Sequence, residues 1–408
     1  MRKNDFNISR RSFIKATGAA GMGTVLAPLA GSRKEQIGAS AHASDISAVP
    51  KRTFGKSGLQ LPILSLGGMF DIPSNQTLIK QAVRWGVTYW DTAHMYSRGK
   101  SETGIGQYFS SYPEQRENIF LVTKSTARSL SRMSKELASS LKRLNTSYVD
   151  LFFVHAISST TILDNDMKEW AAEQKAEGKI RLFGFSTHTN MAKCLMDASK
   201  LNWIDGIMMT YNYRIMHEKQ MKAAVDACAK SGIGLTAMKT QGGRSAGTDA
   251  SSELDLVGHF VQKGFTDKQA KLKAVWENPQ ITSICSQMPT LSILMANIAA
   301  AVDRTSLTEN DRLRLERYAE KTYSCYCAGC TQICENAVSG KLPIGDVMRY
   351  LMYAKNYGDT HDARGLFNAI SPDIRRRMEK EDFSDAEARC PRNLPIAHLV
   401  HEAISDLA

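Results

Sequence analysis

Three apolar runs that each stop on an ionisable residue constrain this chain more than any other feature. Tyr89-Trp90 stops on Asp91, Ile119-Phe120-Leu121-Val122-Thr123 on Lys124, and Leu151-Phe152-Phe153-Val154 on His155. Tyr96 follows Asp91 within the same stretch, Asp91-Thr92-Ala93-His94-Met95-Tyr96. Short continuous apolar runs read as strands buried on both faces, the kind found in parallel sheets. Taken singly, a Lys or Asp at a strand end is an ordinary solvated or paired group. At neighbouring strand ends, a carboxylate, an ammonium, a phenol and an imidazole share one pocket and tune one another.

The rest of the chain supplies the remaining strands. Signals fall at 64–66, 88–91, 119–124, 149–155, 182–186, 207–211, 234–239 and 281–286, with amphipathic patterns such as Lys135 to Leu144 and Glu218 to Ser231 between them. Eight strands alternating with helices predict an α/β fold, a parallel (β/α)8 barrel. Its active face lies at the strand C-terminal ends, where the ionisable residues stand. Arg52 to Leu61, with Gly55 and Gly58 between Phe54 and Leu59, predicts a short hairpin capping the domain.

Reversible carbonyl reduction needs this set of groups. A hydride adds to the carbonyl carbon, so the oxygen must be protonated or its growing charge held. A free tyrosine, with pKa about 10, is too weak an acid. A neighbouring ammonium stabilises the phenolate and lowers that pKa, and a buried carboxylate keeps the ammonium charged. An imidazole can donate a hydrogen bond to the substrate oxygen.

Asp91-Thr92-Ala93 followed by Tyr96 and Ser101-Glu102, the strand-end Lys124, and Ser140-Leu141-Lys142-Arg143-Leu144 leading to Tyr148-Val149-Asp150-Leu151 and His155 resemble the aldo/keto reductases. Gly178-Lys179-Ile180-Arg181, Gly184-Phe185-Ser186 and Tyr211-Asn212 fit the same family. The resemblance runs from about Arg52 to Val302. It implies Tyr96 as general acid/base, Asp91 and Lys124 as its tuners, and His155 as the residue that orients the oxygen. It also implies a nicotinamide cofactor, NAD(P), held by Ser186, Tyr211, Asn212, Lys239 and Asn297. Three positions depart from the family pattern. Met208 stands where a Gln is expected, Thr187-His188 follows Ser186 in place of Asn, and Ser286 to Asn297 contains no Lys or Arg. A 2′-phosphate there lacks a charge-assisted partner, which leaves NAD and NADP both open.

Length and charge add the ends of the chain. At 408 residues it exceeds one ordinary domain, so an appendage is expected beside the barrel. The formal charge is +11, but residues 1–43 hold seven Lys/Arg against two Asp/Glu. No aromatic-studded basic run accompanies the remaining surplus, so no nucleic-acid partner is expected. Residues 1–43 read instead as a twin-arginine signal peptide. Asn7-Ile8-Ser9-Arg10-Arg11-Ser12-Phe13-Ile14-Lys15 carries the paired arginines, and a weakly apolar stretch and Ala41-His42-Ala43 follow. A partner in the twin-arginine translocase and a periplasmic or otherwise exported location follow from it. Gly18-Ala19-Ala20-Gly21-Met22-Gly23 has no strand before it and is no dinucleotide fingerprint.

After Val302 the pattern changes. Five of the eight cysteines fall in the last quarter: Cys325, Cys327, Cys330, Cys334 and Cys390, the last followed by Pro391. Cys194, Cys228 and Cys285 sit alone in apolar patterns and read as buried small side chains. Three chemistries are open to the cluster. Disulfides suit an exported chain, and zinc accepts four thiolates, although paired C-x2-C motifs are absent. C-x2-C-x3-C with a remote Cys-Pro resembles ferredoxin-type [4Fe–4S] ligation by Cys327, Cys330, Cys334 and Cys390, with Cys325 as the substitute. The twin-arginine route, which carries folded proteins already loaded with cofactor, favours iron–sulfur. Ile344 to Tyr353 is similar to the helix that follows the cysteines in the iron–sulfur extension of some exported aldo/keto reductases. Ala386 stands where a second cluster would need a cysteine, so one cluster is expected rather than two.

The expected organisation is therefore a signal over 1–43, a barrel over 52–302 and a helical ferredoxin-like extension over 303–408. The expected function is an exported oxidoreductase acting on an aldehyde, a ketone or the matching alcohol, sugars included, with an electron-transfer partner. The rival is a non-catalytic or regulatory protein that keeps the barrel as a scaffold. The complete Asp91/Tyr96/Lys124/His155 set opposes it, while Met208 and the missing cations favour it.

Overall fold

A computed structural model describes residues 49–244, 246, 250–340 and 342–408. The leader, with its paired arginines and cleavage motif, lies outside the described residues. Eight parallel strands close into a barrel: β3 (Leu64–Gly67), β4 (Tyr89–Asp91), β5 (Phe120–Ser125), β6 (Val149–Val154), β7 (Ile180–Thr187), β8 (Gly206–Thr210), β9 (Gly234–Met238) and β10 (Ser283–Gln287). β10 returns to pair with β3, Gln287 opposite Gly67, and closes the sheet. Each expected strand is present, displaced by one or two residues.

Strand alternation builds two cores. Along β6, Leu151 and Phe153 point into the barrel with Tyr89, Phe120, Val122 and Met208. Phe152 and Val154 point outward into the helical layer with Phe183 and Trp170. This period of two explains why the runs are apolar throughout: both faces of every strand are covered.

An antiparallel hairpin, β1 (Lys51–Thr53) and β2 (Gln60–Pro62), stops the lower end. Phe54, fully buried, plugs the barrel from this hairpin. Its ring needs glycines opposite: a β-carbon on Gly234 would lie 2.5 Å from it, and one on Gly206 2.7 Å away. We expect Gly234→Ala to lower unfolding stability by about 1–3 kcal/mol through overpacking. Denaturant midpoints measure this, and an unchanged midpoint would mean that the plug can yield.

Eight parallel strands with their helices match the expected fold, but the appendage begins later than position 303. Helix Glu309–Lys321, started by Thr308 at its N-cap, buries Leu315 and Tyr318 against Tyr213, Leu256 and Phe260 of the barrel layer. A separate core forms further on. Val347 and Leu351 of helix Ile344–Tyr357 pack with Phe367, Met378, Phe383 and Leu399 of four following helices and segments.

The appendage docks on the upper end of the barrel. Asn190 N donates to Gly329 O at 2.7 Å, and Asn212 Nδ2 donates to Tyr326 Oη at 2.9 Å. Arg214 Nη1 donates to Thr322 Oγ1 at 2.7 Å. Met69, just after β3, packs against the appendage core.

Candidate active site at the barrel mouth

The sequence-predicted quartet converges. Lys124, at the end of β5, is buried, and its Nζ donates to Asp91 Oδ2 at 2.6 Å and to Thr92 O at 2.8 Å. The same ammonium stands 3.3 Å from Tyr96 Oη. The Tyr96 and His155 rings meet edge to face, 5.7 Å between centroids. His155 Nδ1 is buried with no protein partner. A carbonyl oxygen entering between phenol and imidazole would find a proton donor on one side and an unengaged ring nitrogen on the other.

Local sequence sets this geometry. Tyr96 opens a 3-10 turn, Tyr96–Gly99, in which Ser97 and Arg98 adopt φ of 48° and 56°. That strained turn is braced from both sides. Ser101 Oγ donates to Gly68 O at 2.7 Å and exchanges a 2.7 Å bond with Thr92 Oγ1. Buried Glu102 accepts from Thr123 Oγ1 at 2.6 Å and pairs with Arg143. The Ser-Glu pair of the motif therefore positions the mouth without reaching into it.

Burial dominates the electrostatics. It raises Asp91 above the usual carboxylate range despite the Lys124 ammonium beside it. Burial, reinforced by the charge of Asp91, pushes Tyr96 well above the ordinary phenol value. This corrects the expected lowering: the carboxylate that holds Lys124 also opposes the phenolate, and Arg349 is the cation whose field lowers Tyr96. His155 is held well below the usual imidazole range, by burial first and then by Lys124 and Arg349. At neutral pH the phenol carries its proton and the imidazole is neutral.

The expected cofactor residues divide. Ser186 is buried, and its Oγ accepts from Ala156 N at 3.0 Å. Asn212 donates to Lys239 O at 3.1 Å as well as to Tyr326. Asn297 Nδ2 donates to Ser286 Oγ at 2.9 Å. Tyr211 is a correction: its ring lies in the main apolar core and its hydroxyl accepts from Asn278 Nδ2 at 2.9 Å, away from Tyr96. Tyr211 and the inward-facing residues of β8 differ by one position, and in a strand that sends a side chain to the other face. Met208 sits inside the barrel below the mouth, and Thr210 is the β8 residue that meets His188, at 3.4 Å.

Lys239 joins the mouth. It has φ of 55°, and its ammonium lies 4.0 Å from the centre of the Tyr353 ring. Burial and Arg349 lower its pKa well below the ordinary amine value. Three further residues were not identified from sequence. His188, two positions after Ser186, feels Lys239, Arg349 and His155. Cys285, read as an inert small side chain, lies against Asp91 because barrel closure brings β10 beside β3. Arg349 comes from the appendage.

The four expected metal ligands line one cavity with Ile344, Met348 and Pro391. Among the described residues, no three of His, Cys, Asp or Glu stand close enough to hold a metal ion as they are. Cys325 does not line the cavity. Burial and the neighbouring thiols push Cys327 up to about 12, and burial raises Cys330 and Cys334 as well.

Comparison with known proteins places this geometry. The Aldo/keto reductase family model matches residues 64–265, and a twin-arginine translocation pathway signal sequence matches residues 7–27. The chain is 25% identical over 274 residues to the uncharacterized oxidoreductase YrpG of Bacillus subtilis, covering 56% of this chain and 84% of that protein. It is 26% identical over 230 residues to aldo-keto reductase AMT2 of Alternaria alternata, covering 45% of this chain and 62% of the relative. Among solved structures, aldo-keto reductase AKR11C1 from Bacillus halodurans (holo form) aligns with a TM-score of 0.54 at 22% identity, over 67% of this chain and 97% of its own. An aldo-keto reductase from Klebsiella pneumoniae in complex with NADPH gives a TM-score of 0.54 at 22% identity, over 66% of this chain and 95% of its own. The structural likenesses are to the fold.

Proposed function

We propose that residues 64–265, which match the Aldo/keto reductase family model, form an oxidoreductase domain acting on carbonyl and alcohol groups, carried to export by the twin-arginine signal, with Tyr96 as its general acid/base. The observation that carries this reading is the line Asp91–Lys124–Tyr96, linked at 2.6 and 3.3 Å, with the His155 ring edge to face against Tyr96. In reduction, the Tyr96 hydroxyl gives its proton to the carbonyl oxygen. Lys124 then stabilises the phenolate left behind, and Asp91 holds Lys124 in place. His155, neutral, orients the oxygen through a ring N–H. In oxidation the same groups work in reverse, Tyr96 taking the alcohol proton.

A nicotinamide bound in the mouth would supply the hydride in reduction and take it in oxidation. The donor set supports such a group. Ser186, Asn212 and Asn297 carry hydrogen-bonding side chains, and Lys239 stands at the same mouth, where an anionic dinucleotide would favour its charged form. Asn212 would have to share its amide, since it is bonded to Tyr326 and Lys239.

Cys327, Cys330, Cys334 and Cys390 would hold one [4Fe–4S] cluster, which exchanges single electrons. Four thiols around one apolar cavity, of which burial keeps Cys327, Cys330 and Cys334 protonated, form a donor set that a cationic metal centre would turn into thiolates. Tyr326 links the two sites, adjacent to Cys327 in the chain and bonded to Asn212 at the mouth. That same bond favours the second reading, a scaffold whose cofactor groove is occupied by its own appendage.

An exported reductase cannot draw on a cytoplasmic nicotinamide pool, so the cofactor would be loaded before export and retained. Mature protein recovered from outside the cytoplasm should, on denaturation, release about one nicotinamide dinucleotide per chain. Recovery of none, with no binding when NAD or NADP is added back, would favour the scaffold reading.

A further inference from the structure

We infer that Arg349, supplied by the appendage, anchors an anionic group of the substrate beside the reacting carbonyl, so that the barrel accepts carboxylate-bearing carbonyl compounds. The inference rests on the mouth being the carbonyl site. Helix Ile344–Tyr357 spans that mouth. At its far end, Met352 and Asn356 press on Gly243, where a β-carbon would lie 3.2 and 3.3 Å from them, and Asn356 donates to Arg244 O. Tyr353 lies on Lys239, which ends β9 at the mouth. Arg349 is one helical turn before Tyr353 and so occupies the same face of the helix.

The guanidinium is placed for a ligand that the protein does not itself provide. Its side chain is 15% exposed, and Asp346 accepts one edge of the fork at 2.8 Å. Its Nε is buried without a partner, and the guanidinium carbon lies 5.3 Å from the centre of the Tyr350 ring. Asp346 is itself 42% exposed, so it only partly offsets the charge. Lys124, Arg128, Lys239 and Arg349 all act on His155, whereas Asp91, already spent on Lys124, is the carboxylate bonded within the quartet. Neutral histidines at 155 and 188 add donors but no negative charge. Arg349 acts on both Tyr96 and His155, and Tyr353, one turn further along the same helix, lies over Lys239 at the mouth. A guanidinium with an unpaired N–H beside its Asp346 contact suits a carboxylate.

The test compares levulinate with pentan-2-one, ketones of equal chain length with and without a carboxylate. The readout is the ratio of their kcat/KM values. Native protein should prefer levulinate. Arg349→Gln should lower the ratio roughly 10- to 100-fold, the scale of a lost charge-assisted hydrogen bond, and Arg349→Lys should restore part of it. Parallel loss on both ketones at constant ratio would assign Arg349 to the cofactor phosphates and overturn the inference. An unchanged ratio would overturn it too. Pentanoate, which cannot react, gives an arm independent of turnover: calorimetry should show binding that weakens in Arg349→Gln, and equal binding by both proteins rejects the anchor. If neither ketone is turned over, the carbonyl reading fails while the pentanoate result still decides on Arg349.

Discussion

Tyr96→Phe should retain the fold and lose carbonyl reduction by about 10²–10⁴-fold in kcat, the usual contribution of a positioned acid. The substitution removes one oxygen. Lys124 keeps its bonds to Asp91 and Thr92 O, and the ring keeps its edge on His155. Because burial holds the phenol protonated, the variant loses a proton that the native site has ready. KM should change little, since the hydroxyl acts mainly as charge develops on the oxygen. The measurement is steady-state reduction of an aldehyde that the native protein turns over, beside a thermal melt to show intact folding. Turnover within a few-fold of native would remove Tyr96 from the acid/base role.

The second large effect is on metal content. Anaerobically isolated protein is expected to hold about four irons and four sulfides per chain, and Cys327→Ser should abolish most of both. Cys327 lies on the cavity wall between Tyr326, fixed to Asn212, and Gly329, whose carbonyl accepts from Asn190. Its sulfur therefore sits on the best-anchored part of the cysteine loop, and a serine oxygen is a poor ligand for iron in a cluster. Cys325→Ser serves as the comparison, because Cys325 lies outside the cavity lining. Stoichiometric zinc without iron, or equal loss in both variants, would reject the four-cysteine assignment.

Local pattern carried much of the chain. Each strand of the barrel announced itself as an apolar run, because both of its faces are covered and every residue must tolerate burial. Asp91, Lys124 and His155 were legible for the same reason, as charges that end such runs where strands meet the mouth. Tyr96 came with them, since the turn that carries it is built from its immediate neighbours. The cysteine spacing was equally local, as was the start of helix Glu309–Lys321 at Thr308.

What depended on distance along the chain was not legible. Tyr211 was placed at the mouth by motif, yet one step of strand alternation turns it into the core. Cys285 looked inert until β10 closed on β3 and set it against Asp91, nearly two hundred positions away in sequence. The direction of the Tyr96 shift also needed the fold, because burial and Asp91 outweigh Arg349, a cation that the appendage brings.

The sequence by itself determined the parts: a signal, eight strands, four strand-end groups and a cysteine-rich appendage. Periodicity and short motifs express constraints between residues a few positions apart. Only the tertiary structure decided that helix Ile344–Tyr357 lies across the barrel mouth and lends it Arg349 and Tyr353. No spacing in the chain encodes that docking, for it is made by pairs far apart in sequence, Asn190 with Gly329, Asn212 with Tyr326 and Lys239 with Tyr353.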